Sequence, residues 1–406
     1  MRSIALVGAL VFVALSAAQA QAPAARSRAL TVEPLLGLHV QRGTVTVGRL
    51  DADTFALQPG GLQLRANFNS WSFAPDRSLL VLGSGRSTLL YVDPNTLRLV
   101  REVGLPKPIS IRATAWVGGH TLAVGQLRNR LVVLVVDPTK GVLARTAVAG
   151  ELVAVARTTA ELVLLTSPRA RIGATTLTTV DGDGHAHSIL LRSVLGGHET
   201  RGFRHVVPGL AVDAEGRRAF AAGGGGVVAE VALAPLSVAS HSIKLRRSLL
   251  SRLQRWLFPA ADGKGLTGPV RQVLWLGGDT LALSGRDERL IRGRGNGFTF
   301  EQRPVGLHLV DTTTWTERVV ARASGSVMPA EDLVVTAGVT DTAQDGRSGA
   351  GLTVYDAAGT QLLHTLGSAP LGLMAATGNR ALVIEWGGRN RMLVVDLADG
   401  HVVRSM

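Results

Sequence analysis

The sequence predicts an all-β chain, a β-propeller of about eight (alternatively seven) four-stranded blades with one short inserted helix. Three observations predict it. A hairpin unit recurs along nearly the whole chain, its spacing is that of a blade, and its strands are continuous Val/Leu/Ala runs with only 4% aromatic residues. A repeat of roughly 40–50 residues belongs to four-stranded propeller blades. Strands apolar at every position suit sheets that are covered on both faces.

In chain order, the first element is a leader. A positive Met1-Arg2-Ser3 start, an apolar run from Ile4 to Leu15 and a small-x-small exit at Ala18-Gln19-Ala20 are the three parts of a secretory signal peptide, residues 1–20. The run is about half of what spans a bilayer. No cysteine follows it, so there is no lipobox, and cleavage leaves a mature chain from Gln21. Residues 21–29 read as an N-terminal linker and 30–406 as a single propeller domain. The expected location is secreted or periplasmic. Zero cysteines means no disulfides, so stability must come from buried core.

The hairpin unit is an apolar strand ending in Asp, a polar turn and a second strand. Asp51, Asp93, Asp137, Asp181, Asp311, Asp356 and Asp396 open seven copies, and Ala234 takes that place in an eighth. Asp accepts from backbone N–H groups two residues on, so these aspartates read as turn formers rather than acids of a site. Most copies lie 40 to 53 residues apart; the interval from Ala234 to Asp311, 77 residues, must hold insertions. A second match sets Arg112–Gly125 (RATAWVGGHTLAVG) against Arg271–Gly285 (RQVLWLGGDTLALSG), a strand, a glycine turn and a strand. The blades then fall at 30–66, 67–105, 106–149, 150–193, 203–245, 269–320, 326–367 and 369–406. The first lacks an obvious innermost strand; were it to complete a neighbour, seven blades would result.

Two stretches break the pattern. In the basic insertion at 246–268 a helix is expected, since Leu245, Leu249, Leu253 and Trp256 share one face of KLRRSLLSRLQRWLF at 244–258. Arg247, Arg252, Arg255 and Trp256 are its candidates for contact with a partner or an anionic membrane surface, against packing over the rim. Gly285 to Arg303, with arginines between glycines, reads as a mobile basic loop.

The segment SWSFAPDRSLLVLGSGRSTLLYVDPNTLRLVREV at 70–103, with weaker copies over the rest of the chain, resembles YVTN-type bacterial propellers and more loosely WD-repeat and quinoprotein-like ones. No Trp-Asp dipeptide occurs, and only Ala74-Pro75-Asp76-Arg77 keeps the Pro-Asp turn. The resemblance implies the fold, and such rings host unrelated functions. Lactonase-like members imply a channel-mouth site of histidines, acids and a divalent ion.

Catalytic signatures are missing. There is no Ser-x-Asp-x-Gly-x-Thr-Trp box, no Gly-x-Ser-x-Gly elbow and no Gly-x-x-x-x-Gly-Lys phosphate loop. The weak metal candidates are His185, His187, His198 and His205, near Asp181 and Asp183; His-x-His alone lacks the third and fourth ligands. No cofactor is predicted beyond that divalent-metal opening. The net charge of +13 comes almost wholly from arginines spread along the chain, so it favours anionic partners only diffusely. An exported chain with few aromatics and no basic stripe is not expected to bind nucleic acid. The resulting expectation is an exported, monomeric, non-enzymatic propeller that binds an envelope or extracellular protein or glycan. The alternative is a lactonase-like hydrolase or lyase.

Overall fold

A computed structural model describes residues 36–41, 44–51, 53–64, 68–84, 87–199, 204–243, 268–292, 298–342, 346–387 and 390–405. The leader, the linker and the candidate helix with Arg247, Arg252, Arg255 and Trp256 lie outside these residues.

The described chain is all strand and turn, and it is a β-propeller. Blade 1 has three strands, Leu36–Gln41, Thr44–Arg49 and Leu62–Leu64. Blades 2 to 5 are up-and-down sheets in sequence order, beginning with Phe68–Phe73, Ile109–Val117, Glu151–Arg157 and Gly209–Val212. Blade 6 runs from Gly268–Gly277 to Glu317–Ala321 and blade 7 from Ser326–Ala330 to Gln361–Thr365. These two join into one larger sheet. Blade 8 spans Leu371–Thr377 to Val402–Ser405.

The core is divided among the seams between blades. Successive side chains of a strand point to opposite faces, so each blade feeds two seams. In Arg130–Asp137 of blade 3, Val132, Leu134 and Val136 meet Leu89 and Tyr91 of blade 2. The intervening Leu131, Val133 and Val135 meet Leu162, Leu164 and Val180 of blade 4. The same division continues round the ring, and each of the eight seams holds its own apolar cluster. A leucine buried as fully as Leu164 contributes about 1.5–3 kcal/mol.

Blade 1 settles how the ring closes. Its Leu36, Val45 and Val47 face Leu80 and Leu82 of blade 2. Its Leu50 and Phe55 face Ala375, Leu382 and Val394 of blade 8. Arg380 of blade 8 adds a hydrogen bond of 3.2 Å to the Asp53 carbonyl and an ion pair at 3.3 Å with its carboxylate. Residues 36–64 thus form a blade of their own between blades 2 and 8, rather than completing either. The strand after Asp51 is Leu62–Leu64, while Leu57 makes a single bridge to Leu50, because Pro59-Gly60-Gly61 interrupts the run.

One face of the ring is built of tight turns, those joining first to second and third to fourth strands. All seven repeat aspartates sit there and accept backbone N–H groups, as in Thr54 to Asp51 (2.8 Å), Asn95 to Asp93 (2.7 Å) and Thr139 to Asp137 (2.7 Å). His185, Thr313, Thr360 and Ala398 donate in the same way to Asp181, Asp311, Asp356 and Asp396. The Gly-Gly turns of the second repeat lie there too, with Gly118 and Gly119 both at positive φ.

These bonds favour the ionised carboxylate. The Thr139 hydroxyl, with the Lys140 and Thr139 amides, holds the Asp137 carboxyl down to about 2. Thr54 lowers Asp51 and Thr96 lowers Asp93, while the Thr314 and Thr360 amides lower Asp311 and Asp356. A depressed native pKa gives stability that is fully present above the unfolded value of 3.8 and is lost as pH falls toward about 2. The urea midpoint should therefore stay level down to about pH 5 and drop steeply below about pH 4. The Asp137→Asn variant should show a shallower drop; an identical acid slope would contradict the assignment.

Candidate binding face

The opposite face carries every long excursion among the described residues, and these leave from blades 4, 6 and 7. The last strand of blade 4, Ala186–Glu199, overruns its sheet and returns through Arg204–Val206. The described residues of blade 5 end at Ile243 and those of blade 6 begin at Gly268, both on this face. Blades 6 and 7 each extend a hairpin above the ring. Thr280–Arg292 pairs with Phe298–Pro304, and Leu333–Thr342 pairs with Gly346–Asp356.

The first of these hairpins corrects the expected mobile loop. Register sets Asp287 opposite Arg303 and Arg289 opposite Glu301, and opposite charges facing each other across an antiparallel pair stabilise it. In sequence the arginines look like a solvated basic loop because each acidic partner lies across the hairpin, 12 to 16 positions away. Gln302 then pairs with Asp341 of the blade 7 hairpin.

Main-chain bonds also tie blade 4 to blade 6. Val207 N–H donates to the Pro269 carbonyl (2.9 Å), and Arg271 N–H donates to the Val207 carbonyl (2.8 Å). The strands are so close there that a Cβ on Gly268 would lie 1.4 Å from the His205 carbonyl oxygen. Only glycine fits. Hydrogen bonds thus run from the blade 4 overhang through blade 6 to blade 7, forming a belt over one arc of the ring.

Charged side chains fix this belt. His205 Nε2 meets Glu288 at 2.9 Å, and Arg286 Nε meets the other Glu288 oxygen at 2.6 Å. Arg271, 9% exposed, donates to Asp287 at 2.7 Å and to the Arg286 carbonyl at 2.9 Å. His205 Nδ1 and Arg271 Nε are buried without a hydrogen-bond partner among the described residues. Below them, His308 is held between Glu317 and the Val305 carbonyl at the hairpin root. His198 pairs with Glu151 at 3.2 Å, and Arg347 with Asp341 at 2.7 Å. Such a surface offers fixed charges and hydrogen-bonding groups on rigid strands, which is the chemistry of recognition.

The four candidate metal histidines do not converge. His185 lies in the turn after Asp181, with His187 just inside the following strand; His198 ends that strand and His205 follows it. The length of the strand, on the order of 30 Å, separates the two pairs, which sit on opposite faces of the ring. At the turn, His185, Asp181 and Asp183 could jointly approach one ion, and Asp396, Asp399 and His401 form the same arrangement in blade 8. Asp-Gly-His at 183–185 and at 399–401 marks both triads, and the second went unnoticed in the sequence. In each, the carboxylates already cap the turn: Asp181 accepts from Asp183 and His185, and Asp399 from His401. Turn chemistry accounts for both without a metal.

Replacing Glu288 with alanine strips two partners from a mostly buried cluster. A loss of about 2–3 kcal/mol is expected, read as a lowered urea midpoint with unchanged slope. A midpoint within experimental scatter of the parent would show that the cluster does not hold the belt.

No protein-family model matches the chain, and no curated protein matches it. Among solved structures it is similar to a computationally designed protein, Ika8, with a TM-score of 0.50 at 12% identity over 84% of this chain and 87% of that one. It is also similar to BamB from Moraxella catarrhalis, with a TM-score of 0.47 at 10% identity over 89% and 91%. A third is the Cps50 (Swd1) β-propeller domain from Myceliophteria thermophila, with a TM-score of 0.41 at 14% identity over 80% and 93%. At these identities the likeness is one of fold alone, and the β-propeller assignment rests on the blades and seams described above.

Proposed function

We propose that this chain is an exported, non-enzymatic binding propeller that uses the belted face of blades 4 to 7 to hold an envelope or extracellular protein or glycan. One observation carries the reading. Tight turns close one face, whereas every long described excursion rises from the other, from blades 4, 6 and 7. Rigid scaffolds that gather their irregular segments at one end use them for recognition. Arg247, Arg252, Arg255 and Trp256 lie outside the described residues, in the stretch between Ile243 and Gly268, and are the proposed contacts with an anionic partner or membrane surface. Export rests on the leader at 1–20, and the reading requires neither a metal nor a catalytic set.

The test is cross-linking of the purified mature chain to envelope extract in three forms. These are the parent, a variant with Arg286–Pro304 replaced by a two-residue turn, and Asp137→Asn on the opposite face. Cross-linked partners should be shared by the parent and Asp137→Asn, lost with the shortened hairpin, and unaffected by a metal chelator. The exported protein should begin at Gln21. Equal capture by all three forms would refute the assigned face, and an intact leader on cytoplasmic protein would refute export.

A further inference from the structure

Arginines that look scattered in the sequence are gathered by the fold. The loops from second to third strand, and from one blade to the next, open on the belted face. In blade 3 that loop is the turn Arg128-Asn129, followed by Arg130, and the pairing of Ile109 with Leu127 sets Lys107 beside it. In blade 4 the equivalent loop carries Arg169 and Arg171. Lys107, Arg128, Arg130, Arg169 and Arg171 are all exposed, and none makes a side-chain hydrogen bond or ion pair among the described residues. Hairpins in the same position on blades 6, 7 and 8 bring their own counter-charge. Arg289 faces Glu301, and Arg347 and Arg391 meet Asp341 and Glu385 at 2.7 and 2.9 Å. The acids at this end of blades 3 and 4 are already engaged, Glu151 with His198 at 3.2 Å and Glu199 with Arg204 at 3.7 Å. Stacked sheets lie about 10 Å apart, so the two arginine pairs stand side by side as one uncompensated cationic patch.

The turn itself adds a second observation. Arg128 and Asn129 have φ of +47° and +65°, the left-handed pair of a two-residue hairpin turn, where Asn and Gly are the usual occupants. Arginine at the first of these positions works against the backbone, and strain of that kind collects at functional sites. We propose that the patch on blades 3 and 4 binds an acidic polysaccharide. The planar guanidinium matches a carboxylate in two parallel hydrogen bonds, and a chain of repeated charge can meet both loops at once. The tips, Arg128-Asn129-Arg130 and Arg169-Ala170-Arg171, expose no large apolar side chain, which an inserted membrane contact or the core of a protein interface would need. The proposal rests on the reading above for the meeting of this face with envelope or extracellular glycans, and it uses none of the residues that form the belt.

The test is calorimetric titration of the mature chain from Gln21 with polygalacturonate at low ionic strength, with neutral dextran as the control. Combining Arg128→Asn, Arg130→Gln, Arg169→Gln and Arg171→Gln should weaken binding by about tenfold or more. Combining Arg98→Gln, Arg145→Gln, Arg217→Gln and Arg322→Gln removes the same charge from exposed sites elsewhere and should weaken it by less than about twofold. Equal losses would show diffuse attraction by net charge and overturn the proposal. Absence of binding by the parent, or equal binding of dextran, would overturn it too. So would tighter binding of polyglutamate or of phosphatidylglycerol vesicles, which would mark an acidic protein or a membrane as the ligand class. Asn suits the Arg128 position, so the patch variant should melt with the parent; should it not, Arg169→Gln with Arg171→Gln alone should still cost about threefold. Shortening Arg286–Pro304 should leave polygalacturonate binding unchanged. Failure here with cross-linking intact therefore rejects the patch alone, and the converse rejects the belt alone.

Discussion

Alternation of side chains into the two seams of each blade is the constraint on which the rest of this structure depends. With no disulfide, the chain is held together by apolar clusters that each span a pair of blades, and every blade is needed by both neighbours. That explains strands such as Leu131–Val136, apolar at consecutive positions where a sheet with one wet face would alternate. It also explains closure. Leu50 and Phe55 complete the last seam against blade 8, so residues near the start of the domain finish a core begun by its end.

A frame stabilised at its seams leaves both faces of the ring free to diverge. On one, aspartates accept hydrogen bonds from turn amides, which fixes the hairpins. On the other, blades 4, 6 and 7 extend strands beyond the ring and tie them by Val207, Glu288 and Gln302 into a belt. Groups held on such a belt have little conformational freedom to lose. Blades 2, 3 and 8 end in short loops, so the long described excursions lie to one side of the ring.

Much of this was legible in the sequence. The repeat spacing and the Asp turns placed seven of the eight blades to within a few residues, because both are local signals with a direct backbone cause. The first blade was legible as incomplete, and its place between blades 2 and 8 was not, since nothing local says which seam Phe55 fills. The hairpin at 286–304 was missed because a glycine-rich tip and scattered arginines look like loop until Asp287 and Glu301 are set opposite Arg303 and Arg289. The histidines looked like a cluster because they are near in sequence, whereas a strand carries His187 and His198 to opposite faces. The pairing of His205 with Glu288 joins residues far apart in the chain and left no trace in spacing.

A crystal structure of the mature chain, viewed along the channel, tests the ring most directly. Eight blades should be seen, with residues 36–64 as a separate sheet whose Leu50 and Phe55 lie against Leu382 and Val394. Seven blades, with residues 36–64 hydrogen-bonded into the sheet of blade 2 or blade 8, would contradict this account of how the chain closes on itself.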